Sequence, residues 1–146
     1  MKRLVLDASV ILKWYLPDES HGEKAWGLLK QFTVGALDIL GPSLLEYELM
    51  NSLVIAQRRG RLDEGAVVAA LKGFQYLGIH LVGPSAHYDR IAHYCFAYTR
   101  SAYDASYLAL AEQEGIDLIT ADERLFNSAK AELTWVRWIG DTDSTL

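Results

Sequence analysis

Residues 2–7 read Lys-Arg-Leu-Val-Leu-Asp, a short apolar run that ends at the carboxylate of Asp7. Consecutive apolar residues of this kind indicate a strand that is buried on both faces, as in a parallel sheet. Similar runs recur along the chain, with amphipathic stretches between them. We expect strands near residues 2–6, 37–40, 79–82, 116–120 and 133–139. We expect helices near 9–16, from 18 or 20 to 32, and near 43–59, 63–77, 85–100, 101–114 and 123–130.

This alternation of strands with helices or helix pairs predicts a fold class. It is typical of a three-layer α/β/α sandwich with a mainly parallel central sheet. No repeat or linker divides the sequence, so we expect a single domain over residues 1–146. The last residues, 140–146, are small and polar and are expected to form a frayed tail.

Three helix starts carry capping signals. Ser43 with Glu46 has the spacing of a capping box, in which each side chain accepts from a free backbone N–H. Asp63 is an expected N-cap. Asp18 or Ser20 is expected to cap the helix that runs to about residue 32.

Composition limits the possible classes of protein. The chain has 146 residues, of which 51% are hydrophobic and 23% charged, as in a globular domain. The sequence contains no run of about 20 apolar residues, which a membrane-spanning helix requires. The acid at position 7 leaves no room for the apolar segment of a signal peptide. We therefore expect a cytoplasmic protein. The single cysteine excludes an internal disulfide and a Cys-x-x-Cys zinc site.

Four acids stand out by position. Asp7 and Asp122 end two predicted strands, and sites in parallel sheets lie at the carboxyl ends of strands. Asp104 lies in a helix of mostly small and apolar residues, where an ionised carboxylate needs a partner. Glu48 shares one helix face with the amide of Asn51, in a row that begins and ends with apolar residues.

Each acid alone also has a purely structural explanation. Asp7 and Asp122 could cap the helices that follow them. Asp104 could complete a capping box with Ser101, and Glu48 could make a buried hydrogen bond. The sequence favours a shared site because all four fall at one end of the same predicted sheet.

Physical chemistry then indicates a cation. Two carboxylates about 4 Å apart repel by roughly 4 kcal/mol at an effective dielectric constant near 20, so a cluster of them needs a counter-charge. Carboxylate oxygens without nearby His or Cys ligands suit Mg²⁺ or Mn²⁺ and not zinc. Water bound to such a metal can attack a phosphodiester. A net charge of −5 argues against a sequence-independent nucleic-acid binder, but acids that hold a metal contribute to that total.

The motifs around the four acids resemble those of the PIN-domain family. Residues 4–9 (Leu-Val-Leu-Asp-Ala-Ser) are similar to its opening strand, in which the Asp is followed two residues later by Ser or Thr. Pro42-Ser43 and then residues 48–53 (Glu-Leu-Met-Asn-Ser-Leu) resemble its Glu-x-x-Asn helix. Residues 103–111 and 118–125 are similar to its third-acid and fourth-acid segments.

By length, the chain most resembles the VapC-type toxins within that family. The resemblance implies an Mg²⁺- or Mn²⁺-dependent endoribonuclease that acts on RNA, forms a homodimer and is inhibited by an antitoxin protein whose tail occupies the site. It implies that Asp7 and Asp104 hold the metal directly, with Glu48 and Asp122 acting directly or through water. Supporting positions around the acids would be taken by Ser9, Asn51 and Thr120.

Two surface features leave alternatives open. The cluster Arg58, Arg59 and Arg61 could contact RNA or an acidic partner segment, or could be a solvated helix end. The helix over residues 43–59 carries two apolar faces, one with Leu45, Leu49 and Leu53 and the other with Tyr47, Met50 and Val54. The second face belongs either to the core or to an interface between subunits.

Two other functions compete with a nuclease. Phosphatases of the haloacid dehalogenase type also begin with a strand that ends in Asp, but they need a second Asp two residues later, where this chain has Ser9. A PIN fold kept only for binding or as a scaffold would be favoured by the loss of an acid, and none is missing from the sequence.

Overall fold

The computed structural model describes residues 1–142, in which five strands form one sheet with helices packed around it. The strands are Lys2–Leu6 (β1), Leu37–Pro42 (β2), His80–Val82 (β3), Asp117–Thr120 (β4) and Val136–Trp138 (β5). The α-helices are Ala8–Ile11 (α1), Gly22–Thr33 (α2), Leu45–Arg58 (α3), Glu64–Leu77 (α4), Tyr88–Tyr98 (α5), Ala102–Glu114 (α6) and Glu123–Ala129 (α7). Short 3₁₀ turns cover Leu12–Trp14, Pro84–Ala86 and Ile139–Asp141.

The sheet is parallel throughout, with the strand order β3-β2-β1-β4-β5. This confirms the predicted α/β class. In the central strand, Leu4, Val5 and Leu6 are each at most 2% exposed. Because successive residues of a strand point to opposite faces, helices must cover both sides of the sheet. Because the strands are parallel, their carboxyl ends all lie on the same side of the sheet, here called the carboxyl edge. Asp7 follows β1 at this edge, and Asp122 lies just past β4.

Helix α6 forms the centre of the core. Every residue from Ala105 to Ala111 is buried, and the helix packs across β1, β2 and β4. A helix that is buried around its circumference must fit between other elements, which explains its small residues. Its first turn, which carries Asp104, is the part that reaches the edge of the sheet.

The helix starts differ in part from the predicted ones. Asp63 caps α4 through Ala66 N at 2.7 Å, as predicted. The capping box at Ser43 is wrong: α3 starts at Leu45 and has no side-chain cap. The backbone N–H of Ser43 instead donates to Val82 O at 2.8 Å, so contact with the end of β3 holds this residue outside the helix.

Three further boundaries also shift. Helix α2 begins at Gly22, after His21 in a left-handed conformation (φ 58°), and not at the predicted caps Asp18 or Ser20. The predicted helix over 85–100 begins only at Tyr88, behind a 3₁₀ turn. The predicted strand over 133–139 is formed only by Val136–Trp138.

Lys24 holds the last of the described residues. Its ammonium donates to Gly140 O at 2.6 Å and to Thr142 O at 2.9 Å, and Thr142 is buried. Residues 140–142 of the expected frayed tail are therefore anchored to α2. The rest of that tail, 143–146, lies outside the described residues.

Candidate active site

Asp7 lies at the end of β1, where the chain turns into α1, and its side chain is 5% exposed. One carboxylate oxygen, Oδ1, accepts from Ser9 N at 3.1 Å, from Val10 N at 3.3 Å and from the Ser9 hydroxyl. The other, Oδ2, accepts from the Thr120 hydroxyl. Burial nevertheless raises the pKa of Asp7 from 3.8 to about 6, against these hydrogen bonds and with a smaller contribution from the charge of Asp122. Asp7 is both the cap of α1 and a member of a group of acids.

Ser9 and Thr120 join the ends of the neighbouring strands β1 and β4. Besides donating to Asp7, Ser9 Oγ accepts from Ala121 N at 3.0 Å, and Thr120 Oγ1 accepts from Asp122 N at 3.0 Å. Each hydroxyl thus connects the Asp7 carboxylate to the backbone after β4. This double connection fixes the orientation of Asp7 relative to Asp122.

Asp122 caps α7, with Oδ1 accepting from Arg124 N at 3.0 Å and Leu125 N at 3.3 Å. It is half-buried, and its charge raises the pKa of both Asp7 and Glu48. The capping role foreseen as the structural alternative is therefore real. It does not remove Asp122 from the group, because its charge acts on two of the other acids.

Glu48 is held by a tyrosine of the core helix. Its Oε1 accepts from Tyr107 Oη at 2.6 Å, and Tyr107 is 2% exposed. The pKa of Glu48 is raised by burial first, against the hydrogen bond from Tyr107, and then by the charges of Asp104 and Asp122. Glu46 lies on α3 like Glu48, but on the exposed side of that helix. The charge of Asp122 thus reaches both Asp7 and Glu48, and the charge of Asp104 reaches Glu48.

Asp104 is bound differently from the other three acids. Its Oδ2 accepts from Arg100 Nε at 3.1 Å and Nη2 at 2.7 Å, and its backbone N–H donates to the cap residue Ser101 at 3.2 Å. Among residues 1–142, no three His, Cys, Asp or Glu side chains are grouped closely enough to hold a metal ion as they stand. The donor set, all carboxylate oxygens, suits Mg²⁺ or Mn²⁺ in chemistry, and one member of the set, Asp104, is occupied by an ion pair with Arg100.

Two residues of the site were not predicted. Tyr107 was noted only as part of a motif, and Arg100 was not singled out. The spacing of Arg100 and Asp104, four residues apart, is a signal for an ion pair on one helix. That signal does not apply to this pair, because Arg100 precedes the N-cap of α6 and lies outside the helix.

The remaining predicted residues are more exposed or have other partners. Asn51 is exposed on α3, one helical turn from Glu48. Arg61 is taken up by ion pairs with Asp18 (2.7 Å) and Glu19 (3.0 Å), which favours a structural role for that arginine. Arg58 and Arg59 are exposed at the end of α3, about 15 Å along the helix axis from Glu48. The structure therefore does not bring this basic cluster to the acids.

Comparisons with known proteins agree with this fold. A family model described as "PIN domain" matches residues 4–131. Ribonuclease VapC3 of Pyrobaculum aerophilum is 31% identical over 140 residues, which cover 90% of this chain and 98% of that protein. Ribonuclease VapC9 of Mycobacterium tuberculosis is 31% identical over 129 residues, which cover 88% of this chain and 93% of that protein.

Solved structures show the same fold. The crystal structure of PAE2754 from Pyrobaculum aerophilum superposes with a TM-score of 0.68 at 27% identity, covering 95% of this chain and 92% of that one. VapC20 of Mycobacterium tuberculosis, described as a sarcin-ricin-loop-cleaving toxin, superposes with a TM-score of 0.63 at 14% identity, covering 92% and 98%. Among the described residues, no helix is long and apolar enough to cross a membrane. The chain belongs to the PIN-domain family, among relatives that carry the VapC name.

Proposed function

We propose that this protein is a divalent-metal-dependent endoribonuclease of the VapC type and the toxin of a toxin–antitoxin pair. One observation carries the proposal: Asp7 and Asp122 directly follow the neighbouring parallel strands β1 and β4, and Glu48 of α3 is hydrogen-bonded to Tyr107 of α6, the helix that carries Asp104. The names of the relatives, which are ribonucleases called VapC, support RNA as the substrate class. A binding fold would have no need to gather four like charges.

The chain's own residues have definable roles in this proposal. Bound Mg²⁺ or Mn²⁺ would supply an activated water and neutralise charge on the scissile phosphate. Asp7 and Asp104 would hold the cation directly, and Glu48 and Asp122 would do so directly or through water. The hydroxyls of Ser9 and Thr120 fix the orientation of Asp7, and Tyr107 does the same for Glu48. Pre-organised acids of this kind lower the reorganisation needed when a cation and an RNA phosphate bind.

Two partners follow from the same proposal. An antitoxin protein would block the acids, as the VapC relationship suggests. A second copy of the chain would cover the outer face of α3, where Tyr47 is 76% and Met50 40% exposed. Because Leu45, Leu49 and Leu53 fill the core on the opposite side, this second apolar face is not needed for folding of one subunit.

The test is cleavage of a mixed set of single-stranded and structured RNAs by purified full-length protein. We expect cleavage with Mg²⁺ or Mn²⁺ and none with EDTA. Asp104→Asn should reduce the rate at least about 100-fold, since even outer partners of metal ligands contribute about 10- to 100-fold. A matched pair on α3 locates the effect: Glu48→Gln should lose activity, whereas Glu46→Gln, on the exposed side of the same helix, should keep it.

A PIN fold kept only for binding is the second candidate, and one observation favours it: the acids do not form a ready metal-binding group among the described residues. The same experiment separates the two functions. Absence of Mn²⁺ binding and of cleavage would support the binding fold. Metal-dependent cleavage that Asp104→Asn abolishes would exclude it, whereas cleavage that persists in Asp104→Asn would contradict the proposed site.

A further inference from the structure

The connection between α5 and α6 brings a full positive charge to one of the site acids. Arg100 lies between the end of α5 at Tyr98 and the start of α6 at Ala102. Its Nε and Nη2 both contact the same oxygen of Asp104, at 3.1 and 2.7 Å. Both side chains are 21% exposed, so the pair is partly shielded from water. Attraction in such a setting is less screened than between fully exposed charges.

Among the four acids, and within the described part of the chain, Asp104 is the one that has a cationic side chain as partner. Asp7 is bound by hydroxyls and backbone N–H groups, Glu48 by a tyrosine hydroxyl, and Asp122 by backbone N–H groups. Those donors are neutral and leave the negative charge of each acid in place. Arg100 instead neutralises its acid while no metal ion is bound.

The backbone holds this arginine in place. Thr99 adopts a left-handed conformation (φ 51°), and the N–H of Arg100 donates to Cys95 O at 3.3 Å, which closes α5. Ser101 then caps α6 by accepting from the N–H of Asp104. Both partners of the ion pair are thus fixed by one tight turn, which reduces the conformational entropy lost when the pair forms.

We propose that Arg100 competes with the divalent cation for the carboxylate of Asp104, so that this ion pair weakens cation binding. The inference rests on the proposed function, in which Asp104 is a metal ligand. The two N–H groups occupy Oδ2, and a guanidinium repels any cation that approaches the same oxygen. Arg100 therefore sets the metal concentration at which the site assembles.

Metal affinity measured without RNA tests the proposal independently of activity. Calorimetric titration with Mn²⁺ would compare the full-length wild type with Arg100→Gln, Arg100→Lys and Arg124→Gln. We expect Arg100→Gln to bind Mn²⁺ about two- to fivefold more tightly, the range expected for loss of a partly exposed ion pair. Arg100→Lys keeps the charge but not the two-nitrogen contact and should fall between Arg100→Gln and the wild type.

Arg124→Gln is the matched control for net charge. It removes one positive charge two residues from Asp122, and among the described residues Arg124 has no ion pair. A clearly smaller gain in affinity for Arg124→Gln than for Arg100→Gln supports direct competition. Equal gains in both variants, or no gain in Arg100→Gln while the wild type binds Mn²⁺, would overturn it.

A second measurement uses the wild-type protein alone. The Nε–H resonance of Arg100, assigned by its loss in Arg100→Lys, is followed by NMR during titration with Mg²⁺. We expect it to shift in step with metal binding, and a resonance that stays fixed at saturating Mg²⁺ contradicts the proposal. The proposed function fails separately: if neither the wild type nor Arg100→Gln binds metal, the metal site itself is wrong, and the inference falls with it.

Discussion

The side chain of Asp7 shows how a single residue can serve both the fold and the site. Four donors satisfy its carboxylate, and two of these donors are hydroxyls that also connect to the backbone after β4. Its burial nevertheless disfavours the charged form, which raises its pKa. An ionised carboxylate that is held in an unfavourable environment gains most from a bound cation. The ionised carboxylate of Asp7 therefore destabilises the folded protein at the position where the proposed cation would neutralise it.

This charge should be visible in the pH dependence of stability. Because the pKa of Asp7 is raised from 3.8 to about 6, the folded protein retains a proton that the unfolded chain releases between about pH 4 and 6. The free energy of unfolding should therefore fall as pH rises through this window, by roughly 3 kcal/mol from Asp7 alone. Asp7→Asn lacks this titration, so its stability relative to the wild type should increase from pH 4 to pH 7.

Urea unfolding of both proteins in EDTA, at unit steps of pH, measures that difference and cancels the other titrating groups. The asparagine keeps one acceptor oxygen, and the hydroxyls of Ser9 and Thr120 can rotate to meet its amide. Parallel pH profiles for the two proteins would show that Asp7 titrates normally.

Tyr107 gives a prediction for the pH dependence of cleavage. Tyr107→Phe removes the hydroxyl that donates to Glu48, so the pKa of Glu48, already raised mainly by burial, should rise further. The acidic limb of the rate profile should move to higher pH, and the free energy of unfolding should fall by about 1 kcal/mol. Tyr103→Phe, at a 65% exposed position on the same helix, is the control and should leave the profile unchanged. A Tyr107→Phe profile that coincides with the wild type would remove Tyr107 from the site.

Helices and strands differ in how far the sequence determined them. Buried strands such as Lys2–Leu6 were predictable because short apolar runs have few alternatives in an α/β pattern. Helix starts were less predictable, since Ser43 and Glu46 have the spacing of a capping box, yet contact with β3 keeps Ser43 outside the helix. Tertiary contacts decided this case, whereas the start at Asp63 depends on local chemistry alone and was correct.

The two helix starts should respond differently to loss of the side chain. Asp63→Ala removes an N-cap hydrogen bond and should lower the free energy of unfolding by about 1 kcal/mol. Ser43→Ala removes no cap and should change it by less than about 0.5 kcal/mol. Thermal or urea unfolding of both variants checks this pair. A larger loss for Ser43→Ala than for Asp63→Ala would mean that the capping box forms in solution.

Part of the site was beyond the reach of the sequence. The four acids could be proposed because each ends a strand or interrupts an apolar helix face. Their partners depend on packing: Glu48 meets Tyr107 across a separation of 59 residues, through the contact of α3 with the core helix. Arg100 contacts Asp104 from the short connection between two helices, in which Thr99 adopts a left-handed conformation.

At the scale of the whole molecule, the strand order brings two of the site acids to neighbouring strand ends. Parallel strands in the order β3-β2-β1-β4-β5 place β4 beside β1, and this adjacency was the one feature that the sequence left open for Asp7 and Asp122. The net charge is −5, and the four site acids contribute to that total. A bound cation would therefore reduce both the local repulsion and the barrier to an approaching RNA backbone. The weak overall charge then no longer argues against a nucleic-acid substrate.

Assembly of two chains gives the last prediction. The outer face of α3 exposes Tyr47 and Met50 beside the half-buried Val54, and a stable dimer buries about 800 Å² on each partner. We expect the wild type to sediment as a dimer and the double variant Tyr47→Glu/Met50→Glu as a folded monomer, because neither side chain belongs to the core. Tyr76→Glu, at a 93% exposed position on α4, is the control and should remain dimeric. Circular dichroism checks that each variant is folded, and a double variant that stays dimeric would place the interface on another face.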